Sequence, residues 1–162
     1  MESTFTIHPI PADVLQRLRE RGTDDHGNPV RLIVDEEGGS PLRCCLTESL
    51  PGEQVALIAY SPFRKRSPYA EVGAVFVHAK ECGGYREQRG YPDSFRHRRQ
   101  IFRAYGTTGD IVGATLVEPG GDVEGTITGF LSDPEVDFVH TRNVLYGCYM
   151  LEIRRPDGAT AR

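Results

Sequence analysis

The chain has no tryptophan, few cysteines and no long apolar run. A membrane-spanning helix needs about 20 consecutive apolar residues, so we expect no membrane segment. The first residues, Met1 to Thr4, also lack the basic and apolar stretches of a secretory signal peptide. Four cysteines in such a chain are more typical of free thiols than of a disulfide framework. We therefore predict a cytoplasmic protein with no membrane partner.

A basic surplus is also missing, because 19 basic residues face 23 acidic ones and the net charge is −4. Nucleic-acid-binding domains usually carry the opposite balance, so we expect no nucleic-acid partner. One local exception is a group of arginines around His97. This group of arginines is either a solvated face of the protein or a binding site for a carboxylate or phosphate. The guanidinium group of arginine suits such anions because it presents several N–H donors in one plane. The arginines are Arg96, Arg98, Arg99 and Arg103.

Several motifs with known chemistry are absent as well. The chain has no G-x-G-x-x-G, no Walker phosphate loop, no H-E-x-x-H and no G-x-S-x-G. These absences disfavour three classes of protein. They are enzymes with a nucleotide cofactor, zinc proteases that bind their metal through H-E-x-x-H, and serine hydrolases whose nucleophile lies in G-x-S-x-G.

The sequence does contain short periodic segments separated by its 18 glycines and 11 prolines. Helical spacing of apolar residues predicts helices over residues 12–21 and 122–131, with Asp122 as the N-cap of the second. Alternation predicts strands elsewhere. These strands cover residues 4–10, 30–34, 54–60, 72–78, 101–105, 111–117, 136–140 and 145–154.

Consecutive strands with few helices predict an α+β fold. We expect a single domain over residues 1–162, with a mostly antiparallel or mixed sheet of about seven or eight strands and two or three short helices. Residues 1–40 form an N-terminal strand-helix-strand portion, residues 41–155 carry the motifs and residues 156–162 are a tail. The glycine-rich stretch 82–93 is a candidate functional loop.

The histidines and cysteines include one set that suits a metal. Imidazole nitrogens and thiolate sulfurs are the ligands of tetrahedral zinc sites, although the spacing here matches no standard zinc pattern. The alternatives are a buried apolar role for Cys148 and a hydrogen-bonded, half-buried role for His140. Adjacent Cys44 and Cys45 would point to opposite faces of a strand. The candidate metal ligands are His78, Cys82, His140 and Cys148.

The same residues permit catalysis without a cofactor. A cysteine beside a histidine gains thiolate character, and the candidate pairs are Cys45 with His78, Cys82 with His78, and Cys148 with His140, although no signature of a cysteine hydrolase surrounds them. Acid–base chemistry without a covalent step needs only tuned proton donors and acceptors. We assign catalysis to His78, His140 and Tyr69, and substrate binding to Arg43, Arg142 and Ser67.

A series of short motifs follows residue 43. It resembles the bacterial proteins grouped as domain of unknown function 1203, over roughly residues 40–155, with Ala74 where proline is expected. The resemblance implies no reaction, cofactor or catalytic residue. The motifs are Arg43-Cys44-Cys45-Leu46, Pro51-Gly52-Glu53, Ser67-Pro68-Tyr69, Phe76-Val77-His78 with Cys82, Arg103-Ala104-Tyr105, His140-Thr141-Arg142-Asn143 and Gly147-Cys148-Tyr149.

These observations leave the reaction open but rank the functions. The leading hypothesis is a small bacterial metabolic enzyme that performs cofactor-free acid–base chemistry, of isomerase, cyclase or lyase type, on a small polar or anionic molecule. The alternatives are a non-catalytic accessory module that binds a small ligand or a protein, and a Cys/His domain that binds zinc. A homodimer is compatible with each of them.

Overall fold

The computed structural model describes residues 3–86 and 90–157. Within them the chain forms ten strands, two α-helices and one 3₁₀ turn, Asp93–Phe95. The helices are α1 (Ala12–Arg21) and α2 (Val123–Leu131). The strands are β1 (Thr6–His8), β2 (Arg31–Asp35), β3 (Pro41–Leu42), β4 (Thr47–Glu48), β5 (Glu53–Tyr60), β6 (Gly73–His78), β7 (Gln100–Gly106), β8 (Ile111–Val117), β9 (Val136–Asn143) and β10 (Tyr149–Arg154).

The strands form two sheets of five. The first sheet has the order β1-β10-β9-β7-β8 and the second β2-β5-β6-β3-β4. Every pairing is antiparallel except that of β3 with β6, which is parallel and aligns Leu42 with Phe76. The α+β class is thus confirmed.

The expected count of seven or eight strands in one sheet is wrong. Each stretch predicted as a strand overlaps one observed strand. The two additional strands are β3 and β4, of two residues each. Elements this short contain no alternation that a pattern could reveal. Periodicity also marks which residues are extended and not which strands pair, so the division into two sheets was not predictable.

Both helices have the ends that their sequences predict. Gly22 adopts a left-handed φ of 71° and its N–H donates to the carbonyl of Leu18 at 2.9 Å, which closes α1. Asp122 accepts a hydrogen bond from the N–H of Gly125 at 2.8 Å and caps α2. Leu15 and Leu18 of α1 and Ile127 of α2 are buried, so each helix covers apolar residues of the strands.

Two apolar cores result. The first joins α2 to the first sheet and includes Ile127, Val139 and Leu151. The second joins α1 to the second sheet, and Tyr149 of β10 belongs to it. The first sheet therefore reaches into the second core through β10, which fixes the position of one sheet against the other.

Some expectations concern residues outside the described part of the chain. The candidate loop 82–93 includes residues 87–89, and the proposed tail includes residues 158–162. Among the described residues, no helix combines the length and apolarity that a membrane crossing requires.

Candidate metal centre

The turn between β3 and β4 brings two thiols together. Residues 43–46 leave the extended conformation, and Leu46 adopts a φ of 57°. Strand alternation is absent from this turn, so the opposite orientations expected for Cys44 and Cys45 on a strand do not arise. Their sulfur atoms lie 4.0 Å apart.

The parallel pairing of β3 with β6 carries this turn to the end of β6, where His78 lies. The N–H of Arg43 donates to the carbonyl of Phe76 at 3.0 Å and secures the approach. As a result, Nδ1 of His78 lies 3.4 Å from Sγ of Cys44 and 3.5 Å from Sγ of Cys45. The backbone N–H of His78 also donates to Sγ of Cys44, at 3.2 Å.

The other side of the His78 ring faces a carboxylate. Nε2 of His78 lies 2.9 Å from Oε1 of Glu53, on the neighbouring strand β5. Glu53 can accept the proton of Nε2, and in that tautomer the lone pair of Nδ1 is directed at the two sulfurs.

Cys82 completes the cluster from the glycine-rich segment after β6. The four ligand atoms of Cys44, Cys45, His78 and Cys82 all lie within 4.8 Å of one another. A tetrahedral zinc ion at 2.3 Å from sulfur and about 2.0 Å from nitrogen separates its ligand atoms by about 3.5–3.8 Å. The three measured distances of 3.4, 3.5 and 4.0 Å are close to that spacing.

The two adjacent thiols differ in their affinity for protons. A hydrogen bond from Cys44, together with those from Thr47, lowers the pKa of Cys45 despite its burial. The hydrogen bond to Cys45 and burial raise the pKa of Cys44. Sγ of Cys45 lies 3.0 Å from the hydroxyl of Thr47. The lowered pKa favours the thiolate form of Cys45 over that of Cys44, and thiolate is the form that binds metals and attacks electrophiles.

Cavities adjoin the cluster on two sides. One of about 410 Å³ is lined by Cys45, His78 and Cys82, and also by Thr47 and Arg86. Another, of about 630 Å³, lies beside α1 and reaches Cys44 and Cys82. The half-buried Cys82 lines both cavities, so small molecules in solution have a route to the cluster.

His140 lies outside the cluster, inside the first sheet. It is fully buried, and its Nε2 lies 3.0 Å from Oε2 of Glu152. Aromatic rings surround it, with centroids 4.7 to 5.2 Å away. Burial lowers its pKa. The expected grouping of His140 with His78 is therefore not found.

Cys148 and Arg142 share a different cavity, of about 370 Å³. Nη1 of Arg142 donates to the carbonyl of Gly147 at 3.0 Å and lies 2.9 Å from Oε2 of Glu71. The structure therefore separates Cys148 from the candidate ligands His78 and Cys82.

The other expected site residues have structural contacts. Arg43 is buried and its Nε donates to the carbonyl of Tyr149 at 2.7 Å. Ser67 donates to the carbonyl of Gly109 and accepts from the N–H of Tyr69, which is exposed. None of these three residues lines the cavities beside the cluster.

The arginines around His97 are each paired with a carboxylate. Arg96 pairs with Glu124, Arg98 with Glu48, Arg99 with Glu118 and Arg103 with Glu71. The pairs lie on different elements, which favours the solvated-face interpretation over a shared anion site.

Of the four residues in this cluster, the sequence predicted His78 and Cys82 as candidate ligands but not Cys44, and it placed Cys45 only in a nucleophilic pair. The missing information was the parallel pairing of β3 with β6. It aligns Leu42 with Phe76, which lies 34 residues later in the chain. No local motif marks such a pairing.

Comparisons with known proteins give one family. Residues 39–155 match the model of a family described as a protein of unknown function, DUF1203. No curated protein and no solved structure matches the chain significantly. The matched range covers most of the chain and contains all four residues of the cluster. It confirms the resemblance drawn from the motifs after residue 43, and the chain belongs to the DUF1203 family.

Proposed function

We propose that this protein is a metal-binding domain and that one zinc ion binds to Cys44, Cys45, His78 and Cys82. The observation that carries the proposal is the convergence of three sulfurs and one imidazole nitrogen within 4.8 Å. Three cysteines and one histidine are a standard ligand set of structural zinc sites. Soft thiolate ligands also select zinc over magnesium, calcium and manganese.

The surroundings of the cluster support this assignment. Metal-binding histidines commonly donate their second ring N–H to a carboxylate, and Glu53 occupies that position for His78 at 2.9 Å. The backbone N–H of His78 donates to Sγ of Cys44 and would stabilise a thiolate there. The lowered pKa of Cys45 eases the loss of its proton when a metal binds.

A bound ion would link three segments of the second sheet. The ligands come from the turn after β3, the end of β6 and the segment that follows it. Because binding occurs to the folded chain, the free energy of metal binding adds to the stability of the fold. We place the protein in the bacterial cytoplasm, where cysteines remain reduced and available to metals.

Metal analysis of protein purified without a histidine tag tests the proposal. We expect about one equivalent of zinc per chain. Cys44→Ser and Cys82→Ser should each lose most of it, while Cys148→Ser, which alters a thiol outside the cluster, should retain it. Less than about half an equivalent of any transition metal after zinc reconstitution, with the thiols freely titratable, would overturn the proposal.

A second candidate is the enzyme expected from the sequence, with His78 as the base. Cys45, His78 and Glu53 form a line of thiolate, imidazole and carboxylate, and a cavity of about 410 Å³ opens beside the first two. A small polar or anionic molecule would bind in that cavity and contact Arg86. His140 has no part in this version, because it is buried against Glu152.

Thiol labelling separates the two candidates. A metal-free enzyme should react with iodoacetamide at Cys45 at a lower pH than an ordinary cysteine does, since the pKa of this thiol is lowered. A metal-binding domain should react only after treatment with a chelator, and added zinc should restore the protection. Labelling that is unaffected by chelator and zinc would favour the enzyme.

A further inference from the structure

The edge of the second sheet is unusually apolar. Strand β2 (Arg31–Asp35) pairs with β5 and has no second neighbour among the described strands. Its three central residues are large aliphatic side chains with much of their surface exposed: 58% for Leu32, 38% for Ile33 and 50% for Val34. Natural proteins usually protect a free edge with charges, a proline or a bulge, and none of these interrupts the centre of β2.

Two of these side chains extend the face of the sheet that carries the core. Residues opposite one another in an antiparallel pair share a face. Leu32 is opposite the buried Ala56, which in turn is opposite the buried Val77 of β6. Val34 follows Leu32 on this face, whereas Ile33 is opposite Val55 on the other. The core-facing side of the second sheet thus continues beyond the residues that cover it.

The charges at the ends of β2 make the strand complementary to itself. Arg31 begins the strand and Asp35 ends it. Antiparallel pairing of two copies around Ile33 aligns each Arg31 with Asp35 of the other copy and each Leu32 with Val34. Opposite charges directly across a strand pair attract, whereas like charges repel.

The carboxylate of Asp35 is already fixed in position. It accepts hydrogen bonds from the hydroxyl of Ser49, at 2.5 Å, and from the N–H of Gly38, at 3.0 Å. A fixed partner for Arg31 loses less side-chain freedom when the strands pair.

We propose that β2 pairs with β2 of a second copy, so that the two five-stranded sheets become one continuous sheet across a homodimer. The occupant is a second copy because the charge pattern of this strand is complementary under a two-fold axis. The interface would use the free backbone groups of the edge and the six aliphatic side chains of the two central segments. This inference is independent of the metal site.

Sedimentation velocity of the full chain over a range of concentrations tests the proposal. The wild type should form a reversible dimer. Ile33→Lys should weaken the dimer at least about tenfold, because it places two like charges opposite each other at the two-fold axis. Val112→Lys is the matched control, since Val112 is 47% exposed on β8, the edge strand of the other sheet, and it should leave the dimer unchanged.

Arg31→Glu gives an independent measurement. It replaces attraction to Asp35 of the other copy by repulsion, so the dimer should weaken more at low salt than at high salt. Circular dichroism should show that each variant is folded. A wild type that remains monomeric at every concentration would overturn the proposal. So would a dimer that Ile33→Lys leaves intact, or one that Val112→Lys weakens equally.

Discussion

Nε2 of His140 lies 3.0 Å from Oε2 of Glu152, and the two residues are register partners on β9 and β10. Both side chains are almost fully buried, with exposed fractions of 0% and 6%. Burial lowers the pKa of His140, so the ring is neutral at pH 7 and donates its Nε2 proton to the carboxylate. Arg154 donates to the other oxygen of Glu152 at 2.6 Å. Nη2 of Arg64 lies 3.3 Å from the same oxygen. Glu152 is thus a buried anion neutralised by two arginines and oriented by a histidine.

Removing one member of this group should destabilise the protein strongly. Glu152→Ala leaves the buried N–H of His140 and part of Arg154 without an acceptor. We expect a loss of about 3 kcal/mol in the free energy of unfolding, measured by urea denaturation. The double variant His140→Leu, Glu152→Met removes both polar groups and should recover part of that loss. Equal stability of Glu152→Ala and the wild type would show that the pair contributes little.

The same pair predicts a loss of stability in acid. The pKa of His140 in the folded state is lowered from 6.5. Below about pH 6.5 the unfolded state therefore binds a proton more readily than the folded state, which lowers the free energy of unfolding. Although burial raises it, hydrogen bonds from His140 and Arg154 lower the pKa of Glu152 from 4.5 to about 2. The stabilising effect of the Glu152 carboxylate is complete above pH 4.5 and disappears as the pH falls towards 2.

Both shifts act in the same direction, so the contribution of the pair to stability should decline from about pH 6.5 downwards. Urea denaturation of the wild type and of the double variant at several pH values measures this contribution, because their difference removes the effect of the other titrating groups. A difference that is constant between pH 7 and pH 3 would contradict the assignment of charges.

Glu53→Gln tests how the cluster is supported. The amide keeps the shape of the side chain but loses the negative charge that favours a proton on Nε2 of His78. Replacement of such a carboxylate typically costs 10–100-fold in metal affinity, so we expect about a 10-fold loss or more. Competition with a chromophoric chelator measures it. Glu118→Gln, which disturbs an exposed pair with Arg99, is the control and should leave the affinity unchanged.

Two adjacent glycines after β2 should differ in their tolerance of alanine. Gly38 has a φ of 72°, and a Cβ there would lie 2.7 Å from the backbone nitrogen of Pro51. Gly39 has a φ of 87° but no atom within 4 Å of the same position. Gly39→Ala should cost about 1 kcal/mol for the strained φ, and Gly38→Ala should cost at least twice that because of the added clash. Equal thermal stability of the two variants would contradict the close approach of Pro51.

Local patterns predicted most of the elements but little of the site. Alternation and capping placed α1, α2 and β8 within one residue of their observed bounds, because those signals lie within a few neighbouring residues. His78 and Cys82 also emerged from the sequence, since His78 ends a clear strand and Cys82 follows it closely.

The rest of the site depends on contacts between distant segments. Cys44 and Cys45 face the same point because residues 43–46 form a turn and not a strand. His140 looked equivalent to His78 in sequence, but its strand lies inside the other sheet, where Glu152 is its partner. Chemical type alone does not distinguish the two histidines, since the difference lies in which strand pairs beside each.

The parallel pairing of β3 with β6 also has a kinetic consequence. Between β3 and β6 the chain passes through β4, β5 and the long loop that follows β5. The pairing of β3 with β6 therefore closes a larger loop than the pairing of β5 with β6 does. Large loops cost more entropy to close and usually close late. Cys44 and Cys45 reach His78 only after that step. Their protection from a thiol reagent during refolding should therefore report the last stage of assembly of the second sheet.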